Sequence, residues 1–228
     1  MPSKLIIALD FPSAELALNF IRPLSPDSCK LKVGFELYVS AGPDFVKQLV
    51  DQGFDVFLDL KFHDIPNTVA SACRAANKLG VWMMNVHASG GEKMLLAARD
   101  ALNECDNPAK LIAVTVLTSM DQNQLQGIGI SQEPQDQVKR LANLTARCGL
   151  DGIVCSAQET VMLRAELGDD FLLVTPGIRP RGADIGDQSR IITPEQAVVV
   201  GVSYMVVGRP ITQSDTPQMV IDAINNAA

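Results

Sequence analysis

Only two histidines, His63 and His87, occur in 228 residues, and neither belongs to an HExxH pattern or a His/Cys cluster. A structural zinc site is therefore not expected. The five cysteines, at positions 29, 73, 105, 148 and 155, form no CxxC pair and are odd in number. That argues against a disulfide framework and for reduced thiols. Basic residues are scarce: 19 Lys and Arg stand against 26 Asp and Glu, a net charge of −7. A broad polyanion-binding surface is excluded on that balance, so no nucleic-acid partner is expected, and any anion site must be built locally from a few arginines and backbone amides. Long apolar runs are missing too. The longest nearly apolar segment, AVVVGVSYMVVG, falls short of a membrane span and contains Gly, Ser and Tyr. The opening MPSKLIIALD has five apolar residues before Asp10, too few for a signal peptide. A cytoplasmic protein without membrane contact is the expectation. No linker, low-complexity tract or sharp change of composition divides the chain, so one domain is expected.

What is present is a repeated unit. With 47% hydrophobic and 20% charged residues, the chain can bury a large core. A short apolar run, a polar turn and a helical period recur about eight times. The strand candidates are 4–10, 29–34, 55–61, 82–88, 110–117, 152–156, 171–177 and 204–209. Most are continuously apolar, as parallel strands covered on both faces are. Helical patterns lie between them. Ser13 suits an N-cap, Pro43 and Gly53 bracket a helix, and Thr193-Pro194 and Thr216-Pro217 each read as N-cap followed by N1. Eight strand–helix units predict an α/β fold, a (β/α)8 TIM barrel of parallel strands in a single domain. A doubly wound open sheet has the same alternation and is the competing architecture.

Two connections exceed ordinary length, 118–135 and 176–192. The second carries three Arg, three Gly and two Pro, and it reads as a mobile loop closing over an anion.

Charge gathers where strands end. Asp10 ends the first strand candidate, Lys32 precedes Gly34 in the second, and Asp59 and Lys61 end the third. Asn85 and His87 lie near the end of the fourth, Thr118 follows the fifth, and Gly208-Arg209 ends the eighth. In a (β/α)8 barrel those ends form the active-site face. Asp59 and Lys61 are two apart, so in extended chain both point to one side. Two carboxylates and two ammonium groups sharing that space form either a structural salt-bridge cluster or a preorganised electrostatic site. Asp64, three residues on, reads first as a helix N-cap before Pro66. Gly208-Arg209 reads as a phosphate site or a surface turn. GIGIS (127–131) lacks the lysine of a phosphate loop, ASGG (88–91) is a turn into a helix, and Trp82, Met83 and Met84 are core.

These residues resemble the orotidine 5′-phosphate decarboxylase family. The resemblance is carried by DLKFHDIPNT (59–68), TPGIRPRG with DQSR (175–190) and VVGRPIT (206–212), with IALD and KVGFELY matching the first two strands. It spans essentially the whole chain. It implies a homodimeric barrel with shared active sites that converts orotidine 5′-phosphate to UMP and CO2, the last step of UMP biosynthesis, without metal or organic cofactor. Lys32, Asp59, Lys61 and Asp64 would be the catalytic charge array, with Lys61 giving a proton to C6. Asp64 and Thr68 would serve the neighbouring subunit's site. Asp10 and Lys32 would contact the ribose side. The whole segment Asp59, Leu60, Lys61, Phe62, His63, Asp64, Ile65, Pro66, Asn67 and Thr68 would border substrate. Thr118, with Ser119 as rival, would lie near the pyrimidine. Gln188 would bridge base and phosphate from the loop, Arg179 would lie in that loop, and Gly208 and Arg209 would meet the phosphate. Two other functions fit the barrel: a metal-dependent decarboxylase or aldolase acting on a sugar phosphate, and a non-catalytic nucleotide-phosphate sensor.

Overall fold

The computed structural model describes residues 3–180 and 192–227. Eight parallel strands close into a barrel in sequence order: β1 (Leu5–Ala8), β2 (Lys30–Val33), β3 (Val56–Phe62), β4 (Met83–His87), β5 (Lys110–Val114), β6 (Gly152–Val154), β7 (Leu172–Thr175) and β8 (Tyr204–Val207). Pairing of Ile6 with Val206 seals β1 against β8. Closure decides between the two architectures, since an open sheet would leave two edges. The helices are α1 (Ala14–Ile21), α2 (Phe35–Asp51), α3 (Pro66–Asn77), α4 (Glu92–Asn103), α5 (Gln122–Gly127), α6 (Pro134–Arg147), α7 (Thr160–Leu167), α8 (Pro194–Val199), α9 (Arg209–Thr212) and α10 (Pro217–Ala227).

Why the strands read as continuously apolar is now visible. Alternate residues feed two separate cores. Leu5, Ile7, Leu31, Val33 and Leu58 pack outward against the helices. Ile6, Ala8, Phe57, Met83, Ile112, Val174 and Val206 form their own buried cluster inside the barrel. Both faces of most strands are therefore dry, β2 being the exception, with Lys30 and Lys32 on its inner face. At Gly152 a Cβ would stand 2.2 Å from the carbonyl oxygen of Leu172, so only glycine allows β6 to approach β7.

The helix punctuation follows the side chains. Ser13 Oγ accepts the Leu16 N–H, and Thr193 with Gln196 closes a capping box on α8. Most strands are shorter than their sequence candidates, and three of the boundaries that differ bear on the site. Helix α2 starts at Phe35 rather than Pro43, because Gly42 (φ 75°) bends the chain and lets helix continue on both sides. Helix α5, capped by Asp121 and Gln124, occupies part of the 118–135 connection. Strand β5 stops at Val114, so Thr118 sits in a turn beyond it.

The N-terminal mouth of the barrel is plugged. Lys30 Nζ lies 2.5 Å from Asp55 Oδ2 and 4.6 Å from the centre of the Trp82 ring. Trp82 in turn meets Tyr204 edge-on at 4.9 Å. Among the described residues no helix is long and apolar enough to cross a membrane.

Candidate active site

The opposite mouth collects the charges that end the strands. Lys32 Nζ stands 3.4 Å from Asp10 Oδ1 and 3.3 Å from Asp59 Oδ2. Lys61 Nζ lies 2.6 Å from Asp59 Oδ1. In space the order is Asp10, Lys32, Asp59, Lys61, with the sign alternating at each step. Asp59 is the hinge of this run, being buried and touched by both ammonium groups. Burial alone would push its carboxyl pKa up. The Lys32 and Lys61 charges, with hydrogen bonds from Lys61 and Asn85, outweigh burial and hold it below the ordinary carboxylate value. Asp59 is therefore ionised at neutral pH. His87 is shifted down as well, which for an imidazole favours the neutral form: burial, then the neighbouring His63 and Lys61, lower its pKa against the pull of Asp59. It is a neutral imidazole at neutral pH.

Asp59 and Lys61 do converge, but not as two residues of a regular strand. Lys61 has φ 45°, the left-handed region, and is the one non-glycine residue with positive φ among the described residues. Such a conformation costs about 1–3 kcal/mol and persists where its surroundings enforce it. The register shows the irregularity. Leu58 pairs with Met84 and Phe62 with Val86, so β3 advances four residues (58 to 62) while β4 advances two (84 to 86). This bulge brings the Lys61 ammonium back onto Asp59 and over the Phe35 ring, 5.1 Å from its centre.

Beneath the charges lies a cavity of about 140 Å³. Its floor is apolar, from Phe57, Val114, Val154, Val174 and Val206, and its charged wall is Lys32, Asp59 and Lys61. Thr118 and Pro176 border it from the loops after β5 and β7. An apolar hollow with charge on one wall suits a flat ring bearing an ionic group at one edge. Glycines keep the rim open. A Cβ on Gly34 would stand 3.2 Å from Lys32 Nζ, and one on Gly208 would stand 3.5 Å from Asp10 Oδ2. Gly208 is thus beside Asp10 across the β8–β1 seam, and Arg209 follows it as the first residue of α9.

Other expected residues are placed differently. Leu60 and Phe62 pack on the outer core, while His63, Asn67 and Thr68 are exposed. Pro66 opens α3, whose N-cap is Ile65, not Asp64. Asp64 is exposed and accepts the adjacent Ile65 N–H at 2.6 Å, while the Thr68 N–H at N3 donates to Ile65 O at 3.1 Å instead of to Asp64. Its cap reading fails because the proline forces the residue before it, rather than Asp64, into the capping position. Arg179 is buried where the chain leaves β7, its backbone N–H donating to Ile192 O at 3.0 Å. It belongs to the foot of the 176–192 segment. Gln188 lies outside the described residues. Sequence reasoning assigned no role to Asn85, which touches both Asp59 and the Lys61 backbone. A lone polar residue inside the apolar run WMMNV was the available signal. No group of three or more His, Cys, Asp or Glu among the described residues comes together as a metal-ligand set.

Residues 3–224 match the model of the orotidine 5′-phosphate decarboxylase / HUMPS family. The chain belongs to that family. A relative from Pseudoalteromonas atlantica, named orotidine 5′-phosphate decarboxylase, is 60% identical over 224 residues, which is 97% of this chain and 96% of its own. One of the same name from Escherichia coli O139:H28 is 56% identical, over 98% of this chain and 91% of its own. The crystal structure of orotidine 5′-phosphate decarboxylase from Lactobacillus acidophilus superposes with a TM-score of 0.88 at 39% identity, covering 98% of this chain and 97% of that one. An uncharacterized conserved protein from Geobacillus kaustophilus gives 0.87 at 37% identity, with 98% and 99% covered.

Proposed function

We propose that this chain is an orotidine 5′-phosphate decarboxylase whose catalytic device is the alternating array Lys32, Asp59, Lys61, completed by Asp64 from a second subunit. The observation that carries the reading is the double pairing of Asp59, at 3.3 Å to Lys32 and 2.6 Å to Lys61, directly above an apolar, ring-sized cavity. In a chain of this family that arrangement has an immediate chemical use.

Loss of CO2 breaks the bond from C6 to the carboxylate carbon and leaves the electron pair on C6, in the ring plane, where the π-system cannot spread it. A cation fixed at C6 stabilises that pair. Lys61 is that cation. Its N–H bond then breaks as the C6–H bond of UMP forms, leaving a neutral amine that takes a proton from water. Asp59 sits beside the departing carboxylate and fixes both lysines. The apolar floor receives the pyrimidine face, and Thr118 rather than Ser119 reads its edge, being the one of the two that borders the cavity. Asp10 and Lys32 hold the ribose. Gly208 and Arg209 hold the phosphate, joined by Arg179 and Gln188 of the 176–192 loop, which closes over it and spends remote binding energy on ordering the charges.

Asp64 is exposed and has no ion pair among the described residues of its own chain. Ile65 beside it is 67% exposed, and Phe35 under Lys61 is 54% exposed. A second subunit covering this apolar patch would supply Asp64 and Thr68 across the interface, giving a homodimer with shared sites.

The test is absorbance-monitored turnover of orotidine 5′-phosphate with and without EDTA. Equal turnover in both is expected. Activity abolished by EDTA would move the assignment to a metal-dependent sugar-phosphate enzyme, and tight UMP binding without turnover would move it to a sensor. Mixing Lys61→Ala with Asp64→Ala subunits is expected to restore activity through one intact site per heterodimer. No recovery with exchange confirmed would remove Asp64 from the shared site.

A further inference from the structure

We infer that Asn85 is a positioning residue for the decarboxylation: its amide holds the Lys61 backbone and the Asp59 carboxylate in the one relative placement that puts the ammonium on its carboxylate partner. The inference rests on the proposed function above.

Asn85 is fully buried in the middle of β4. Its Oδ1 accepts the Lys61 backbone N–H at 2.8 Å, and its Nδ2 donates to Asp59 Oδ1 at 2.7 Å. The amide orientation is not a free choice. The Lys61 N–H can only donate and an ionised carboxylate can only accept, so a flipped amide would face both partners with the wrong atom.

The position matters as much as the bonds. Asn85 is the single β4 residue between Met84 and Val86, opposite the stretch of β3 where the ladder breaks. At a bulge the extra residue's N–H is left without its ladder acceptor. Here a side chain replaces that acceptor and bonds the residue held at φ 45°. The same side chain then reaches the oxygen that Lys61 Nζ touches, Asp59 Oδ1. One planar amide thus ties the backbone of the proton donor to the carboxylate that orients its tip. An apolar residue in this place would fill the strand equally well, but it would take away the acceptor of the part-buried Lys61 N–H and release the bulge.

Two variants separate positioning from packing. Asn85→Ala removes both bonds. Asn85→Asp keeps an acceptor for Lys61 N–H but sets a second carboxylate against Asp59. The charged and titratable groups facing Asp59 are Lys32 from β2, Lys61 on its own strand and His87 on β4, with Asp10 beyond Lys32. Two carboxylates at hydrogen-bond distance cannot both ionise readily, so the pair retains a proton into the neutral range. For Asn85→Ala, kcat is expected to fall about 10²-fold, the loss typical of a misplacement of about 1 Å, with UMP affinity within about threefold of the parent. For Asn85→Asp, the acid limb of the kcat–pH profile is expected to move up by at least about one unit.

Parent enzyme assayed in parallel keeps the two readings apart: a parent without turnover defeats the proposed function, whereas an active parent leaves Asn85 alone on trial. The proposal is overturned if Asn85→Ala keeps kcat within about threefold of the parent, or if the acid limb of Asn85→Asp does not move. It is equally overturned if each variant loses activity only in proportion to its loss of folded protein, measured by near-UV circular dichroism and UMP binding, because the remaining folded enzyme would then turn over normally.

Discussion

The two mouths of the barrel use the same residue types to opposite ends. Strand β2 supplies Lys30 to the N-terminal mouth and Lys32 to the C-terminal one, two residues apart on the same inward face. Each meets an aspartate from the β3 segment, Asp55 below and Asp59 above. Below, the pair is capped by Trp82 and Tyr204, and Asp55 is about half exposed. That end is closed and holds one charge pair beside an aromatic lid. Above, Asp59 is nearly buried and shared by two cations, and the bulge at Lys61 keeps the mouth open over a cavity. The lesson is that an ion pair becomes a candidate chemical device when one buried carboxylate is shared between two ammonium groups above a cavity, not when a lysine simply finds an aspartate. At the lower mouth nothing is left over. At the upper mouth an ammonium group has a face available to a substrate.

The largest effect that would break this comparison is at its upper carboxylate. Asp59→Ala leaves Lys32 and Lys61 facing each other with no charge between them. Decarboxylation is expected to fall at least about 10³-fold, and stability by about 3–5 kcal/mol, as when one partner of a buried ion pair is removed. Urea unfolding and turnover on the same preparation check both. The lower counterpart, Asp55→Ala, is expected to cost no more than about 1 kcal/mol, since its partner remains over an aromatic ring and the lost carboxylate was half in solvent. Its turnover should match the parent.

The acid side sharpens the contrast. The Asp59 carboxyl is held below the ordinary value of 3.8. A depressed carboxyl contributes stability that is present above its unfolded pKa and lost as pH falls through the folded one. The stability gap between the parent and Asp59→Asn is therefore expected to be wide at neutral pH and to narrow below 3.8, as followed by urea midpoints across that range. A gap that stays constant into strong acid would contradict the charge pairing. The smallest effect concerns space rather than charge. Gly34→Ala sets a methyl 3.2 Å from Lys32 Nζ and must displace the ammonium by a few tenths of an ångström. About a three- to tenfold loss of kcat/KM with an unchanged unfolding midpoint is expected, since small misplacements of a fixed charge are costly in a preorganised site.

This contrast also marks what could be read from the sequence. The eight strands were legible because nearly all are continuously apolar, and Asp10, Lys32, Asp59 and Lys61 stand where the first three of those runs stop. The difference between Lys30 and Lys32 was not legible, since both alternate with apolar neighbours and only closure of the barrel assigns one to each mouth. The bulge was hidden too: a two-residue spacing predicts a shared face without any left-handed residue, and Lys61 carries no signal for positive φ. Asn85 was seen as a strand-end residue but not as a tie, because its partners are a backbone N–H and a carboxylate on another strand. Asp64 could be read locally as a cap, and the helix start at Pro66 removes that use.

The central claim is that the upper mouth performs the chemistry and the lower mouth takes no part in it, and the paired variants Lys30→Met and Lys32→Met test it most directly. Steady-state turnover of orotidine 5′-phosphate should fall about 10²- to 10³-fold for Lys32→Met, the loss typical of removing one preorganised charge-stabilising donor, while Lys30→Met stays within about twofold of the parent and only its unfolding midpoint drops. Equal losses of turnover in the two variants, or a greater loss for Lys30→Met, would contradict the account.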